Sequence, residues 1–507
     1  MKNMYKFNEI RIRDDYHICK DDWICKNNKK EKILVVGEVQ SGKTSKIIKE
    51  IEHLIELKYS YLILFGGTTN LLTEQTKNRI KQHFKKNEKY QDKYIKILSN
   101  EDLKNNLNPP NFDNTFYIFN LLKGTIQIDN FIYKVIGTNN WTGPWNNENN
   151  NGIAIIDDEC DWGSVTNKEL NKNNKAIKKL IEDIWSHVSK GKFIQFTGTP
   201  FANIMADKND KLYPDKIHIL NPPIEYCGSE FFLNDGINCY HIDNNLFNKN
   251  SWNEDIIKEY FYVWLITTYF FQQHKNENNK SSFLINVCIE NSPHEKIEKI
   301  IRENIELIIK NHDNDITQIS IEKILKKYAS LFKIIDTNKK DLIDNIFDWI
   351  WKKIIPYFHK NKESIVVLNS EQKKENFNIS KINNYEYSII IGGNLLSRGC
   401  TFENLLTEIM INSPYDEKTT TADTLLQRCR WFGYRKKDDR YKNMIIVINK
   451  KIMETLKEVN EVVKFIKNSQ FKYSISDIRR KLKEFQKNFK HCKLTYKGLK
   501  NDNNILY

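Results

Sequence analysis

The sequence predicts an α/β fold with two parallel-sheet lobes, a helical insertion and a helical C-terminal tail. Short β-branched runs alternate with helical patterns from residue 32 to about residue 450. The runs are near-continuously apolar rather than alternating, the pattern of parallel strands covered on both faces. A helical stretch near 253–272 divides them into two series.

In the first series, KILVVG (32–37) reads as a strand and 43–57 as a helix; YLILFGG (61–67) and 71–84 repeat the pair. KYIKILS (93–99), TFYIFN (115–120) and FIYKVIG (131–137) are expected strands. GIAIIDD (152–158) and KFIQFTGT (192–199) close the series, with a helix near 174–188 between them. The second series has expected strands at 282–288, 364–370, 387–393, 405–411 and 443–449. Asn-rich stretches at 138–151 and 274–280 read as loops. The expected organisation is an N-terminal segment (1–30), a first lobe (31–225), a linker and helix (226–280), a second lobe (281–450) with a helical insertion at about 295–358, and a basic helical region (451–507).

Hydrophobic residues make up 40% of the 507, enough for full cores, which excludes a disordered chain. With 79 basic against 65 acidic residues the formal charge is +14, which favours polyanionic partners, nucleic acid first. Nine cysteines without a CxxC pair read as reduced thiols, and no apolar run approaches a membrane span. The N-terminus lacks the apolar core of a secretory signal, so a cytoplasmic protein with no membrane partner is expected.

GEVQSGKT (37–44) fits GxxxxGK[ST] between a strand and a helix, the context a phosphate-binding loop requires. Gly37, Gln40, Ser41 and Gly42 would present backbone N–H groups to phosphates. Lys43 would reach the β- and γ-phosphates and Thr44 would ligate Mg²⁺. A glycine-rich turn could match by chance, but the flanking strand and helix argue against it. In IAIIDDECDW (153–162) an apolar strand ends in carboxylates: Asp158 for Mg²⁺, Glu159 for the attacking water, with Asp157 able to share the metal role. Cys160 reads as a small buried residue. In FTGTPFAN (196–203), Thr199 sits on a turn suited to linking the γ-phosphate site to nucleic acid.

In the second lobe, IGGNLLSRGCTFE (391–403) places Gly393, Arg398 and Thr401 on a loop after a strand. DTLLQRCRWFGYR (423–435) then presents Gln427, Arg430 and Arg435. Either arginine could be a γ-phosphate finger; Arg435 is favoured because Gly433 can end the helix before it. The stretch 479–500 carries nine Lys and Arg with one acid, Glu484, and Leu482, Phe485 and Phe489 on one helical face. It reads equally as a phosphate-backbone clamp and as a solvated amphipathic helix. WTGPW (141–145) reads as a base-stacking loop or a local plug. NKKD (338–341), His53, His187 and His294 are set aside, and no zinc spacing is present.

VQSGKT (39–44), LFGGTTNLLTEQTKNRI (64–80), IIDDECDW (155–162), TGTPFANIM (197–205), LYPDKIHILNPP (212–223), GGNLLSRGCTFENL (392–405) and DTLLQRCRWFGYR (423–435) together resemble the Z-one domain family of superfamily II helicase-like ATPases. The resemblance implies two RecA-like lobes with the active site between them, ATP and Mg²⁺ as cofactors, and DNA or RNA as partner. It places Gln75, Thr76 and Arg79 on the first lobe's nucleic-acid-facing motif, and Arg398, Thr401, Arg430 and Arg435 on second-lobe positions. Arg430 stands where the usual final motif has a glycine, so the choice of finger stays open. The implied function is ATP hydrolysis coupled to binding, translocation on or remodelling of nucleic acid, in a restriction or antiviral defence setting with a nuclease or defence-system partner. The alternatives are an ATP-driven switch acting on a protein, and an ATPase subunit of an ATP-dependent endonuclease.

Overall fold

The computed structural model describes residues 30–59, 61–67, 70–87, 90, 94–104, 115–137, 152–165, 172–234, 239–243, 254–273, 278–286, 292–310, 316–332, 340–368, 379–393, 401–410, 421–469 and 472–495. They form two compact units. The first takes the described residues up to Pro223, Val462–Asn488 and the residues from Leu494; the second takes Ile224–Glu461 and Phe489–Lys493. Each is built on a parallel β-sheet with helices around it.

In the first unit, β1 (Glu31–Val36), β2 (Tyr61–Phe65), β3 (Tyr94–Ser99), β4 (Thr115–Leu121), β5 (Ile153–Asp158), β6 (Gly191–Thr197) and β7 (Lys216–Ile219) pair in the order β3-β4-β2-β5-β6-β1-β7. All pairs are parallel. The side-chain period of two explains the apolar runs, because both faces are covered. Ile153 and Ile155 of β5 join Tyr61, Ile63 and Phe193 in a core with Ile128 and Phe131 of one helix and Ile177, Ile181 and Ile184 of another. Ala154 and Ile156 point to the opposite core, with Leu62, Leu64, Ile194, Ile47, Ile51 and Ile80.

The stretch 131–137 is not the strand its β-branched residues suggest. The helix Thr125–Phe131 continues as a π-helical turn over Ile132–Ile136. Ile128, Phe131 and Val135 are buried at helical spacing while Tyr133 is 75% exposed. Burial against the helix Lys172–His187 outweighs the weak strand preference of Ile and Val. The short strand β7 goes unanticipated because KIHI mixes charge with apolar residues, as sheet edges do.

In the second unit, β8 (Tyr240–Ile242), β9 (Ser281–Asn286), β10 (Ile365–Leu368), β11 (Tyr387–Gly392), β12 (Leu405–Met410) and β13 (Ile445–Ile448) pair in the order β10-β11-β9-β12-β13-β8, all parallel. The three-residue edge strand β8 is too short to read from sequence. One core joins Phe283, Ile285, Ile389 and Val447 of the strands to Phe261 and Trp264 of the helix Glu254–Gln273. Ile301, Ile321 and Ile350 of the helical stretch between β9 and β10 complete that core. Trp264 Nε1 donates to Ser281 Oγ at 2.9 Å, satisfying its buried N–H.

Candidate active site

The loops after β1, β5 and β6 leave the same end of the first sheet, because β1 pairs with β6 (Val36 beside Thr197) and β6 with β5 (Phe196 beside Asp158). This is the carboxyl end, where open α/β sheets place ligands. Gly37 N–H donates to Thr197 O at 3.0 Å and pins the first loop to the third. Gln40 (φ 62°) and Gly42 (φ 84°) are left-handed, and Gly42 starts the helix Lys43–Glu56. A Cβ on Gly37 would sit 3.1 Å from Lys43 Cγ and 3.3 Å from Ser41 Oγ. A Cβ on Gly198 would sit 3.0 Å from Lys43 Nζ, so the ammonium lies against the TGTP turn.

Asp158 and Glu159 follow on β5. Glu159 has φ 52°, and its N–H donates to Asp158 Oδ1 at 3.0 Å. Desolvation pushes the Asp158 carboxyl up to about 7, its neighbour Glu159 adds to this, and Lys43 and Lys123 oppose it. A carboxylate so held gains from a cation. Thr44 hydroxyl and Asp158 carboxylate are hard oxygen donors of the kind Mg²⁺ takes, with few protein ligands needed. Among the described residues no group of three or more His, Cys, Asp and Glu is placed to hold a metal ion.

Asp157 does not share a metal role in this arrangement. It is fully buried, paired with Lys123 Nζ at 2.5 Å, and accepts a hydrogen bond from Ser164 Oγ. Its carboxyl is pushed up by burial, against the pull of Lys123. Cys160 is buried and accepts from Asn203 Nδ2 at 3.2 Å. Asp161 accepts from Thr197 Oγ1 at 3.2 Å, and Thr199 N–H donates to Thr197 Oγ1 at 2.9 Å. Thr199 is fully buried. Its side chain therefore presents nothing to a polyanion in this conformation, and it is Thr197 Oγ1, between Asp161 and the Thr199 N–H, that braces the ends of β5 and β6 together.

The candidate nucleic-acid residues divide. Gln75 is half-buried, and Thr76 is buried with Oγ1 donating to Gly66 O at 3.2 Å. Arg79 is exposed, and its Nη1 donates to Thr44 Oγ1 at 3.4 Å. Arg79 thus reaches the phosphate-loop side. From the C-terminal part of this unit, Lys467 Nζ pairs with Glu38 Oε1 at 3.0 Å.

In the second unit, Gly393 is buried just after β11 and Thr401 is half-buried, its carbonyl accepting from Asn383 Nδ2 at 3.0 Å. Arg398 lies outside the described residues, as do most of the N-terminal segment, WTGPW and the chain beyond residue 495. Gln427 and Arg430 are buried. Arg430 is the charge that most opposes the burial of Glu408, whose carboxyl is pushed up to about 8. Arg435 is buried and donates to five backbone carbonyls: Trp431, Phe402, Glu403, Arg430 and Phe432, at 2.9–3.3 Å. A guanidinium has five N–H donors. Arg435 therefore holds the loop at 402–403 to its own segment and is not placed as a γ-phosphate finger, against the sequence expectation. Arg440 makes a parallel clasp to Lys280 O (2.8 Å) and Asn404 O (3.0 Å).

Lys123 and Glu408 carry no sequence motif. A lone Lys after a strand and a Glu within one read as surface charges; only their buried partners give them roles. The helix Ile475–Asn488 packs Ile475, Ile478 and Leu482 inward, and Arg479 Nη2 donates to Met205 O at 3.3 Å. Phe489 lies beyond that helix's end. The five described cysteines (Cys160, Cys227, Cys239, Cys429, Cys492) are free thiols. Among the described residues no helix is long and apolar enough to cross a membrane.

Residues 257–490 match the family model described as "Z1 domain", and residues 7–202 match "Type III restriction enzyme, res subunit". No curated protein matches the chain in sequence. Similar solved structures include a S. cerevisiae Dbp5 variant bound to RNA and ADP BeF3 (12% identity, 92% of this chain and 90% of that one, TM-score 0.46). The DEAD-box helicase Mss116 bound to ssRNA and UDP-BeF is another (12% identity, 87% and 70%, TM-score 0.41). A third is the DUF1998 helicase MrfA bound to DNA (10% identity, 85% and 46%, TM-score 0.41).

Proposed function

The chain is a Z1-domain, superfamily II helicase-like protein, and from that premise we propose that it is a Mg²⁺-dependent ATPase that couples hydrolysis to binding, translocation on or remodelling of DNA or RNA. The observation that carries this is the placement of Lys43 Nζ against Gly198, at the sheet end where Asp158 and Glu159 also emerge. The lysine comes from the loop after β1 and the two carboxylates, metal-binding and water-activating, from the end of β5 far away in sequence, with Gly198 of the loop after β6 beside the lysine. The match of residues 7–202 to a restriction-enzyme res subunit supports a restriction or antiviral defence setting, with a nuclease or defence-system partner, as part of the proposal.

The chain's own residues divide the chemistry. Backbone N–H groups of the 37–44 loop and the Lys43 ammonium hold the β- and γ-phosphates. Thr44 and Asp158 would hold Mg²⁺, which when bound would supply charge neutralisation on the phosphates. Glu159 orients the attacking water and takes its proton, a role worth about 10²–10⁴ in rate. The surplus of basic residues favours a polyanion as the coupled partner.

The test is ATP turnover by the full chain, with and without single- and double-stranded DNA and RNA. Turnover that rises with nucleic acid, is lost in Lys43→Ala and is lost in Glu159→Gln while ATP still binds is the expected result. Turnover indifferent to every nucleic acid would remove the coupling. Normal turnover in folded Lys43→Ala would remove the phosphate-loop assignment itself.

A further inference from the structure

We propose that Lys123 is a positioning residue for Glu159, fixing the backbone from which the water-activating carboxylate projects; this rests on the assignment of Glu159 made above. The side chain of Lys123 is completely buried. Its ammonium forms an ion pair with Asp157 Oδ1 of β5 at 2.5 Å and donates to the carbonyl of Glu159 at 2.9 Å and the carbonyl of Trp162 at 3.2 Å. One buried ammonium thus ties the end of β5 to the loop that follows it.

Glu159 needs such a hold. At φ 52° it occupies the left-handed region, where the Cβ of a non-glycine residue crowds the following carbonyl oxygen. Such a conformation persists where the surroundings over-determine it, and residues of this kind cluster at functional sites. Here both ends of the residue are tied. The Glu159 N–H donates to Asp158 Oδ1, and the Glu159 carbonyl accepts from Lys123 and from the Trp162 N–H at 3.0 Å. Without Lys123 the carbonyl keeps only the Trp162 N–H of its own turn, and nothing outside that turn then holds the backbone at its left-handed φ.

A plainer reading makes Lys123 only the counter-ion of Asp157. The two differ in what happens when both charges are removed together. Lys123→Met alone would leave Asp157 as an uncompensated buried charge and could unfold the unit. Lys123→Met with Asp157→Asn removes that penalty and still deletes the side-chain donor to the Glu159 carbonyl. Ser164→Ala is the control: it takes away Asp157's other partner and leaves the three Lys123 contacts in place.

The experiment measures kcat and KM for ATP, Kd for a fluorescent ATP analogue and thermal stability on the full chain. The variants are parent, Glu159→Gln, Lys43→Ala, Ser164→Ala and the Lys123→Met/Asp157→Asn pair. The expected result is a folded double variant with parental Kd and kcat lowered about 10²-fold, the scale of a roughly 1 Å misplacement. Ser164→Ala should keep parental kcat. Parental kcat in the double variant, or an equal loss in Ser164→Ala, would overturn the positioning role. If the double variant does not fold, Lys123→Leu with Asp157→Leu also removes both charges and the donor to Glu159, and is read the same way. Failure of both to fold would also overturn it, leaving a structural role alone. An inactive parent, or a Glu159→Gln variant of parental rate, would instead overturn the reading of Glu159.

Discussion

Arg79 donates from Nη1 to the hydroxyl of Thr44 across 3.4 Å, so the helix Asn70–Lys86 touches the phosphate loop at its metal-ligand candidate. The family resemblance implies that Arg79 faces nucleic acid; this contact brings it to the phosphate loop instead. Arg79→Ala is expected to raise KM for ATP by about threefold or more, while affinity for nucleic acid without ATP stays within about twofold. Steady-state kinetics beside a fluorescence-anisotropy titration separates the two. Unchanged KM with weakened nucleic-acid binding would restore the original reading.

What could be read from sequence followed burial and local geometry. The runs at β5 and β6 are apolar throughout because alternate residues enter the two cores named above. The phosphate loop was legible because its chemistry is contiguous: Gly42 must be left-handed just where the Lys43 helix begins. Roles that depend on distant partners were not legible. Lys123 looks like any surface lysine until Asp157 is brought beside it. The choice between Arg430 and Arg435 turned on carbonyls at Phe402 and Glu403, which no spacing rule within 423–435 contains. The π-helical turn at 132–136 was misread because β-branched residues can serve either structure, and packing chose.

Arg435 and Arg430 should now separate by phenotype. Arg435→Ala strips partners from five carbonyls and is expected to cost about 3 kcal/mol or more, seen as a lower Tm. Arg430→Lys keeps the charge beside Glu408 but loses the planar fork. If Arg430 is the finger, kcat falls about tenfold or more with ATP affinity and Tm near parental. Calorimetry and single-turnover hydrolysis give the two readouts. A stable Arg435→Ala variant with impaired turnover would return the finger to Arg435.

The basic C-terminal helix calls for charge substitution rather than deletion. Removing the chain from residue 479 would take away Leu482, which is fully buried, and so confound binding with folding. Lys481, Lys483 and Lys487 are exposed on the same helix. Changing all three to Gln is expected to leave Tm unchanged. If they meet phosphates, the log–log salt slope of nucleic-acid affinity falls by about 2–3, from the released counterions. A slope equal to the parent's would leave the helix a structural element.

Glu408 gives the fold a pH signature. It lies in the middle of β12, between β9 and β13, with no exposure. Burial raises its carboxyl from 4.5 to about 8, and Arg430, then Asn286, offset this only in part. The folded state therefore holds the proton over a range where the unfolded chain has lost it. Stability falls wherever the folded state binds more protons than the unfolded one. The contribution is thus neutral below about pH 4.5, becomes progressively unfavourable up to about pH 8 and is constant above that. Gln matches the shape of the protonated acid and cannot ionise. Glu408→Gln should therefore resemble the parent at pH 5 and exceed its Tm by about 2 °C or more at pH 9. Calorimetric Tm values at half-unit steps across that range test it. Parallel profiles would mean that Arg430 holds Glu408 ionised throughout and that the pair is a true buried ion pair; in that case Glu408→Gln should lower Tm at every pH, because it strands the arginine's charge.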